Sequence, residues 1–323
     1  MKKSILLSLA LCGTMPLSVQ AQSEYENPNW KESETKMATA QVLTFEKTAP
    51  RIMYFHDVNY VSRHGLDLKL QILRPEGKPG EMKKLPCIVF IPGSAWFKQN
   101  VYFNLPTFAK FAERGYVIAL VEYTHSDVAP FPAPLQDVKT AIRFMRKEAE
   151  RYGVDVNNLF VWGDSSGGHM SLMSVLTADQ PAFDTDVYGE YPISVNACIA
   201  YYPVTDIKNI HIDPNSTSTG KSDSPEGMLL GKVDIDSHKS EADTASPVTY
   251  VSREKPIPPI LIATGTCDHV LPFSQSEIMV DALEKAEKEH VYYVLKGADH
   301  GSWEFWSPKM LDLVNQFIQK YIR

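Results

Sequence analysis

The stretch that decides the fold runs from Leu159 to Met170 and reads Leu-Phe-Val-Trp-Gly-Asp-Ser-Ser-Gly-Gly-His-Met. Its apolar start predicts a strand, and the residues from Gly167 begin a helical pattern that reaches about Leu176. Between them, the pattern Gly-x-Ser-x-Gly predicts a turn tight enough to force Ser165 into strained dihedral angles and expose its hydroxyl. The amino end of the following helix would also stabilise developing negative charge. Ser165 is therefore the predicted nucleophile.

Apolar runs and helical patterns alternate along the rest of the chain. The predicted strands span 57–62, 66–73, 86–92, 117–123, 159–162, 197–204, 260–263 and 291–295, and the predicted helices span 105–114, 135–152, 165–176, 273–289 and 303–322. Strands alternating with helices predict a mainly parallel sheet. The hairpin 57–73 adds antiparallel strands at one edge. The expected fold class is α/β, with a mostly parallel sheet of eight strands covered by helices on both faces.

The predicted nucleophile needs a base, and the base needs an acid that fixes its tautomer. Open parallel sheets place their sites past the carboxyl ends of the strands. The strand 260–263 leads to Asp268, and the strand 291–295 leads to His300. The sequence therefore predicts His300 as the base and Asp268 as the acid that orients it.

Four other side chains compete for these two roles. His269 and Asp299 adjoin the chosen pair, but the side chains of sequence neighbours on a turn diverge. His169 lies one turn into the helix after the nucleophile, where packing or a local hydrogen bond is expected. Asp206, after the strand 197–204, remains open as a substitute acid. The remaining histidines show no metal-ligand spacing, and the predicted chemistry requires neither a metal nor an organic cofactor.

Acyl transfer also needs N–H donors aimed at the oxyanion that forms on the substrate. The backbone N–H of Ser166, directly after the nucleophile, is one predicted donor. The others are expected in the loop after the strand 86–92, where small residues let the backbone approach the acyl group. Ser94 and Ala95 are the predicted donors of this loop. A plain strand-ending turn is the alternative.

Length and composition exclude several classes of protein. The 323 residues are 44% hydrophobic, with 32 Lys and Arg against 39 Asp and Glu, giving a formal charge of −7. This balance excludes a disordered, collagen-like or coiled-coil chain. Without a concentrated basic run, nucleic acid is not expected as a partner. No segment approaches roughly 18 uninterrupted apolar residues, so no transmembrane anchor is expected.

The amino terminus has the pattern of a secretory signal peptide. Met1-Lys2-Lys3 is basic, an apolar run from 5 to 12 follows, and Val19-Gln20-Ala21 is a small-x-small cleavage site. We therefore expect a signal peptide over residues 1–21 and a periplasmic or secreted protein. Lipid attachment at Cys12 is a less favoured alternative, because the preceding leucine is bulkier than such sites usually accept.

The remainder divides into a polar N-terminal arm, 22–50, and one catalytic domain, 51–323. The irregular segment 208–246 is a lid, a specificity insertion or a surface connection, and the sequence does not choose among them. Neither does it indicate an oligomeric state. Three cysteines are expected as small buried hydrophobes, because they lack C-x-x-C spacing and cannot form a complete disulfide framework: Cys87, Cys198 and Cys267.

Taken together, these features resemble an α/β-hydrolase, and more narrowly the carboxylesterase group that includes hormone-sensitive-lipase-like and bacterial acetyl-xylan or feruloyl esterase-like enzymes. The resemblance covers most of residues 57–320. The stretches that carry it are 91–96, 131–137, 163–169, 245–250, 265–268 and 299–301. It implies the Ser-Asp-His triad named above.

The oxyanion loop departs from the pattern of these relatives. They typically carry His-Gly-Gly-Gly-Trp, whereas this chain has Pro92-Gly93-Ser94-Ala95-Trp96. The backbone donors survive, since every non-proline residue carries an N–H. The loss of the histidine and two glycines is expected to restrict the loop and alter the pocket, without changing the reaction class.

The predicted function is that of an exported serine carboxylic-ester hydrolase that removes acetyl or feruloyl groups from carbohydrate esters, either small molecules or polysaccharides. Four aromatic residues near the catalytic edge could stack on sugar or aryl groups or pack in the core: Trp96, Tyr123, Phe131 and Trp303. One alternative is a prolyl-oligopeptidase-like peptidase, although such enzymes usually carry a large propeller ahead of the hydrolase domain. The other is a noncatalytic binding protein built on a hydrolase fold.

Overall fold

The computed structural model describes residues 31–44, 50–77 and 82–323. The predicted signal peptide, 1–21, lies outside the described residues, as does Cys12. The chain divides into two units, Met1–Thr48 and Ala49–Arg323. In the first unit, the described residues are exposed and contain one turn, in which the Ala40 N–H donates to the Met37 carbonyl at 3.0 Å.

The second unit is built on one sheet of eight strands, in the order β1-β2-β4-β3-β5-β6-β7-β8. The strands are β1 Ile52–Arg63, β2 Leu66–Pro75, β3 Leu85–Ile91, β4 Val117–Val121, β5 Val154–Asp164, β6 Ala197–Tyr201, β7 Ile260–Gly265 and β8 His290–Leu295. Strand β2 runs antiparallel to both its neighbours, and all other neighbouring pairs are parallel. The mostly parallel sheet with an antiparallel edge hairpin confirms the predicted fold class.

Helices connect the parallel strands. They are α1 Leu105–Ala112, α2 Ala133–Lys147, α3 Ala149–Tyr152, α4 Ser166–Leu176, α5 Pro225–Leu229, α6 Lys239–Thr244, α7 Ser274–Lys285 and α8 Pro308–Lys320. The last predicted helix, 303–322, is divided: a 3-10 turn ends at Trp306, and α8 begins after Ser307, whose hydroxyl accepts the Met310 N–H. In the described part of the chain, no helix has both the length and the apolar character that crossing a membrane requires.

Buried side chains of the strands alternate between the two faces of the sheet. In β3, Cys87 and Val89 belong to one hydrophobic cluster, whereas Ile88 and Phe90 belong to the other. Helices α2, α4 and α7 contribute to the first cluster, and α1 and α8 contribute to the second. Because each face has its own core, the central strands read as continuous apolar runs in the sequence.

The irregular segment 208–246 packs onto the first of these cores. It contains α5 and α6, and it places Leu229 and Ala242 in fully buried positions. The Ser246 hydroxyl oxygen accepts the Ile207 N–H at 2.9 Å, which ties the two ends of the segment together. The segment is therefore packed as part of the second unit.

The cysteines follow the prediction in two of three cases. Cys87 and Cys198 are buried, and Cys267 is exposed. The prediction of burial is wrong for Cys267 because β7 ends at Gly265, so this residue already belongs to the loop beyond the strand.

Candidate active site

The turn between β5 and α4 has the strained geometry that the glycine spacing predicts. Ser165 has φ 53° and ψ −123°, a combination that a residue with a side chain keeps only when its surroundings impose it. A Cβ on Gly163 would lie 2.2 Å from the Gly167 carbonyl oxygen, and a Cβ on Gly167 would lie 1.9 Å from the Ile91 carbonyl oxygen. Both positions therefore require glycine, because strand, turn and helix touch through their backbones.

Three predicted residues form one chain of hydrogen bonds. His300 Nε2 lies 2.9 Å from Ser165 Oγ, and His300 Nδ1 lies 2.8 Å from Asp268 Oδ2. The Asp268 side chain is 2% exposed and the His300 side chain 16% exposed. An ionised carboxylate only accepts, so Nδ1 carries the hydrogen and the Nε2 lone pair faces the serine hydroxyl. This is the arrangement that general-base activation of a serine requires.

The loop after β7 fixes the carboxylate of Asp268. Its Oδ1 accepts the backbone N–H groups of Val270 and Leu271, at 2.9 and 2.8 Å. One oxygen is therefore held by the backbone, and the other is left for the imidazole. This division sets the direction in which the carboxylate meets His300.

The residues that compete for the roles of base and acid make other contacts. His269 and Asp299 pair with each other at 3.1 Å in exposed positions. Asp299 Oδ1 also accepts the backbone N–H groups of His269 and His300, and these hydrogen bonds lower the pKa of Asp299 to about 2. Asp206 accepts from Asn209 rather than from His300. Asp299 therefore holds the turn that carries the histidine, and the imidazole of His300 is hydrogen-bonded to Asp268 and Ser165 rather than to Asp206.

The predicted oxyanion donors are not equivalent. The Ser94 N–H donates to the Ser166 side-chain oxygen at 2.9 Å, so it is already engaged. Within the described part of the chain, the N–H groups of Ala95 and Ser166 have no hydrogen-bond partner. The prediction of Ser94 as a donor needs correction, because the Ser166 hydroxyl intercepts its N–H. Ala95 and Ser166 remain as the two candidate donors.

Two of the predicted substrate-stacking residues are buried beneath this loop. The Tyr123 hydroxyl lies 3.0 Å from Ser94 Oγ and donates to the Pro92 carbonyl at 3.2 Å. Burial raises the pKa of Tyr123 to about 12, so the phenol keeps its proton. Trp96 is 1% exposed, and its indole N–H donates to His169 Nδ1 at 3.1 Å. Both residues are therefore packed in the core, one of the two alternatives that the sequence left open, and they support the loop from the protein side.

The other two aromatic residues lie nearer the surface. Phe131 is partly buried and packs against Phe183, with ring centroids 5.3 Å apart. Trp303 is 74% exposed and lines an open depression of about 400 Å³ beside β8, whose other lining residues include none of the triad. Trp303 is thus accessible, although this depression is separate from the residues around Ser165.

Sequence reasoning missed a second pair beside the triad. The Asp164 carboxylate accepts the Gly93 N–H at 2.9 Å and the Tyr202 hydroxyl at 3.3 Å. Burial raises the pKa of Asp164 above the usual range of a carboxyl. The Tyr202 ring lies against the His300 ring with centroids 4.5 Å apart. The only sequence signal for this pair is that Asp164 precedes the nucleophile; Tyr202 follows β6 and gives none.

The chain is similar to known families and proteins. Residues 70–283 match the family described as BD-FAE. Over 68% of this chain and 53% of the relative, the sequence is 29% identical to esterase LipC of Mycobacterium tuberculosis. It is 23% identical to endo-1,4-beta-xylanase B of Butyrivibrio fibrisolvens, over 85% of this chain and 41% of that protein.

Solved structures share the architecture. The bifunctional GH43-CE of Bacteroides eggerthii aligns with a TM-score of 0.73 and 25% identity, over 84% of this chain and 38% of that chain. The chain spans about half the length of three curated relatives that it matches, LipC, LipM and LipQ of Mycobacterium tuberculosis. The family match includes Ser165 and Asp268 and ends before His300.

Proposed function

This chain belongs to the BD-FAE family of α/β-hydrolases, and from that premise we propose that it is a serine carboxylic-ester hydrolase. The single observation that carries the proposal is the continuous set of hydrogen bonds from Asp268 through His300 to Ser165. The names of the curated relatives, esterase and carboxylic ester hydrolase, support the same reaction class.

In the first half-reaction, Ser165 Oγ forms a bond to the ester carbonyl carbon while His300 Nε2 takes the hydroxyl proton. The carbonyl oxygen becomes an oxyanion, which accepts hydrogen bonds from the Ala95 and Ser166 N–H groups. When the tetrahedral intermediate collapses, the bond to the leaving oxygen breaks, and His300 returns its proton to that oxygen. An alcohol departs, and an acyl-enzyme remains.

In the second half-reaction, water takes the place of the alcohol. His300 accepts a proton from the water as its oxygen attacks the acyl carbon, and the same two N–H groups bind the new oxyanion. Collapse releases the carboxylic acid, and the proton on His300 restores the Ser165 hydroxyl. Asp268 stays ionised throughout and stabilises the imidazolium that forms in both halves.

We further propose that the substrates are acylated carbohydrates, bearing acetyl or feruloyl groups, and that the protein meets them after export. The relative named endo-1,4-beta-xylanase B supports a carbohydrate context. The signal-peptide pattern of residues 1–21 supports a substrate outside the cytoplasm. A polymeric ester is as acceptable to this proposal as a short acylated oligosaccharide.

The proposal is tested by hydrolysis of p-nitrophenyl acetate, acetylated xylan, feruloylated arabinoxylan and a prolyl peptide anilide. We expect ester turnover, and we expect Ser165→Ala to reduce it about 10⁴-fold or more, because no other group replaces the nucleophile. Ser240→Ala, which removes an exposed hydroxyl on α6, is the matched control and should keep full activity.

Each alternative has its own outcome. Cleavage of the anilide without ester turnover would replace the proposal with a peptidase. Binding of acetylated xylan without turnover of any substrate would indicate a noncatalytic protein. Equal rates for the wild type and Ser165→Ala would remove the proposed nucleophile. Turnover of p-nitrophenyl acetate and of neither carbohydrate ester would keep the reaction class and overturn the substrate class.

A further inference from the structure

The oxyanion loop has a backbone geometry that its sequence does not favour. Ala95 has φ 52° and Trp96 has φ 60°, and the Phe97 N–H closes the turn on the Ser94 carbonyl at 3.0 Å. Two successive central residues with positive φ are the sign of a type I′ turn, which is dominated by glycine, asparagine and aspartate. For residues with a Cβ, the left-handed conformation is unfavourable because the Cβ approaches the following carbonyl oxygen. Contacts outside the turn must therefore hold it in place.

Those contacts converge on Trp96. Its carbonyl accepts the Ser126 N–H at 2.9 Å, and its indole N–H donates to His169 Nδ1 at 3.1 Å. The indole and imidazole rings meet edge to face, with centroids 5.2 Å apart and an interplanar angle of 88°. Both side chains are buried, so loss of this acceptor would leave the indole N–H without a hydrogen bond and away from water.

Elementary chemistry fixes the state of His169. An indole N–H only donates, so His169 Nδ1 carries a lone pair, and the hydrogen is on Nε2. His169 Nε2 then donates to the Ala245 carbonyl, 2.7 Å away. Burial lowers the pKa of His169 to about 4, which keeps the ring neutral as both hydrogen bonds require.

The same histidine is tied to the nucleophile. His169 lies on α4, and its backbone N–H donates to the Ser165 carbonyl at 3.0 Å. One residue therefore connects the helix that supplies the Ser166 donor with the loop that supplies the Ala95 donor. The distance between two oxyanion donors on separate elements depends on such a connection, and small displacements of donors reduce catalysis strongly.

We propose that His169 and Trp96 are positioning residues that hold the Ala95 N–H in register with the Ser166 N–H, so that both meet the same oxyanion. This inference rests on the proposed function. Neither side chain touches the substrate, and the pair acts through the backbone of the loop.

The test compares two variants that remove the hydrogen bond between the Trp96 indole and the His169 imidazole with one variant, His169→Gln, that can still form a hydrogen bond. Trp96→Phe and His169→Phe should each lower kcat about 10- to 100-fold and change KM less than about threefold, since the lost geometry matters when the oxyanion forms. Affinity for a trifluoromethyl ketone, which forms an oxyanion adduct with the serine, should fall by a similar factor. His169→Gln keeps an acceptor and a donor and should recover part of kcat.

Trp162→Phe is the matched control. Trp162 is also fully buried, and in the described part of the chain its indole N–H has no hydrogen-bond partner. The Trp162→Phe variant therefore loses the same atoms as Trp96→Phe without losing a hydrogen bond. Its kcat per folded molecule should stay within about twofold of the wild type. Melting temperatures of all variants show whether a lower activity comes from less folded protein or from displacement of the Ala95 N–H relative to the Ser166 N–H.

A double variant completes the experiment. If Trp96 and His169 act through one bond, the Trp96→Phe/His169→Phe protein should be no slower than the slower single variant. Additive losses, or unchanged kcat and ketone affinity in Trp96→Phe, would overturn the inference while leaving the esterase intact. Failure of the proposed function has a different signature, because the wild type itself would then turn over no ester; the positioning role would be overturned with it.

Discussion

Two strained turns meet at the candidate active site, and they are held in different ways. The turn at Ser165 is held by backbone contacts through Gly163 and Gly167. The turn at Ala95 and Trp96 carries no glycine at its positive-φ positions and depends on side-chain hydrogen bonds. A turn held by glycines can be predicted from the local sequence pattern. A turn held by a side chain about 70 residues away can be recognised only in the folded structure.

The largest effect is expected from a substitution in the turn at Ser165, which glycines hold through backbone contacts. Gly167→Ala places a methyl group 1.9 Å from the Ile91 carbonyl oxygen by its initial geometry, so β3 and α4 must move apart. We expect a loss of activity of at least about 100-fold, because displacement of the nucleophile by about 1 Å has that effect. The measurement is kcat/KM together with the melting temperature.

A surface glycine provides the control for this change. The nearest neighbour of a Cβ on Gly189 would lie 3.2 Å away, so Gly189→Ala demands a far smaller adjustment. Its activity should be close to that of the wild type. Near-normal activity of Gly167→Ala would mean that backbone contact does not hold this turn.

Acid should weaken the oxyanion loop through His169, whose neutral imidazole accepts the Trp96 indole N–H. The folded pKa of His169 is lowered to about 4, against 6.5 for an ordinary histidine. As the pH falls from about 6.5 toward 4, His169 becomes protonated in the unfolded chain but stays neutral in the folded protein. The free energy of unfolding therefore decreases. The linkage predicts a loss on the order of 3 kcal/mol across that interval from this residue.

Urea unfolding of the wild type and His169→Gln between pH 7.5 and 4.5 measures this effect. The glutamine variant does not titrate at this position, so its stability should fall less steeply with acid. Parallel curves for the two proteins would show that the imidazole does not resist protonation.

The smallest expected effect concerns the oxyanion loop, which has no glycine at its positive-φ positions. Ala95→Gly removes the Cβ penalty at φ 52° but increases the conformational freedom of the unfolded chain, two terms of about 1 kcal/mol with opposite signs. The free energy of unfolding should therefore change by less than about 0.5 kcal/mol. Ala282→Gly, inside α7 with ordinary helical geometry, should instead lose about 1 kcal/mol. Equal losses at both positions would remove the argument for strain at Ala95.

The same contrast explains how much the sequence could predict. The strands, the class of sheet and the turn at Ser165 depend on local apolar runs and glycine spacing, and the structure has them near the predicted positions. Burial of Trp96 and Tyr123 depends on His169 and Ser166, which lie far along the chain. An aromatic residue beside a catalytic loop has the same local sequence whether it faces the substrate or supports the loop from within. The engagement of the Ser94 N–H by the Ser166 hydroxyl had no sequence signal for the same reason.

The hydrogen bond from His169 to the Ala245 carbonyl has a consequence for how this protein can vary. Every amino acid supplies a backbone carbonyl, so the bond constrains the route of the chain at position 245 and is indifferent to the side chain there. The segment that ends beside it, 208–246, can exchange many of its side chains without removing the acceptor. Side-chain exchanges in this segment that keep the path of the chain past the imidazole therefore leave the hydrogen bond intact, whereas an insertion or deletion that shifts the backbone at position 245 removes it.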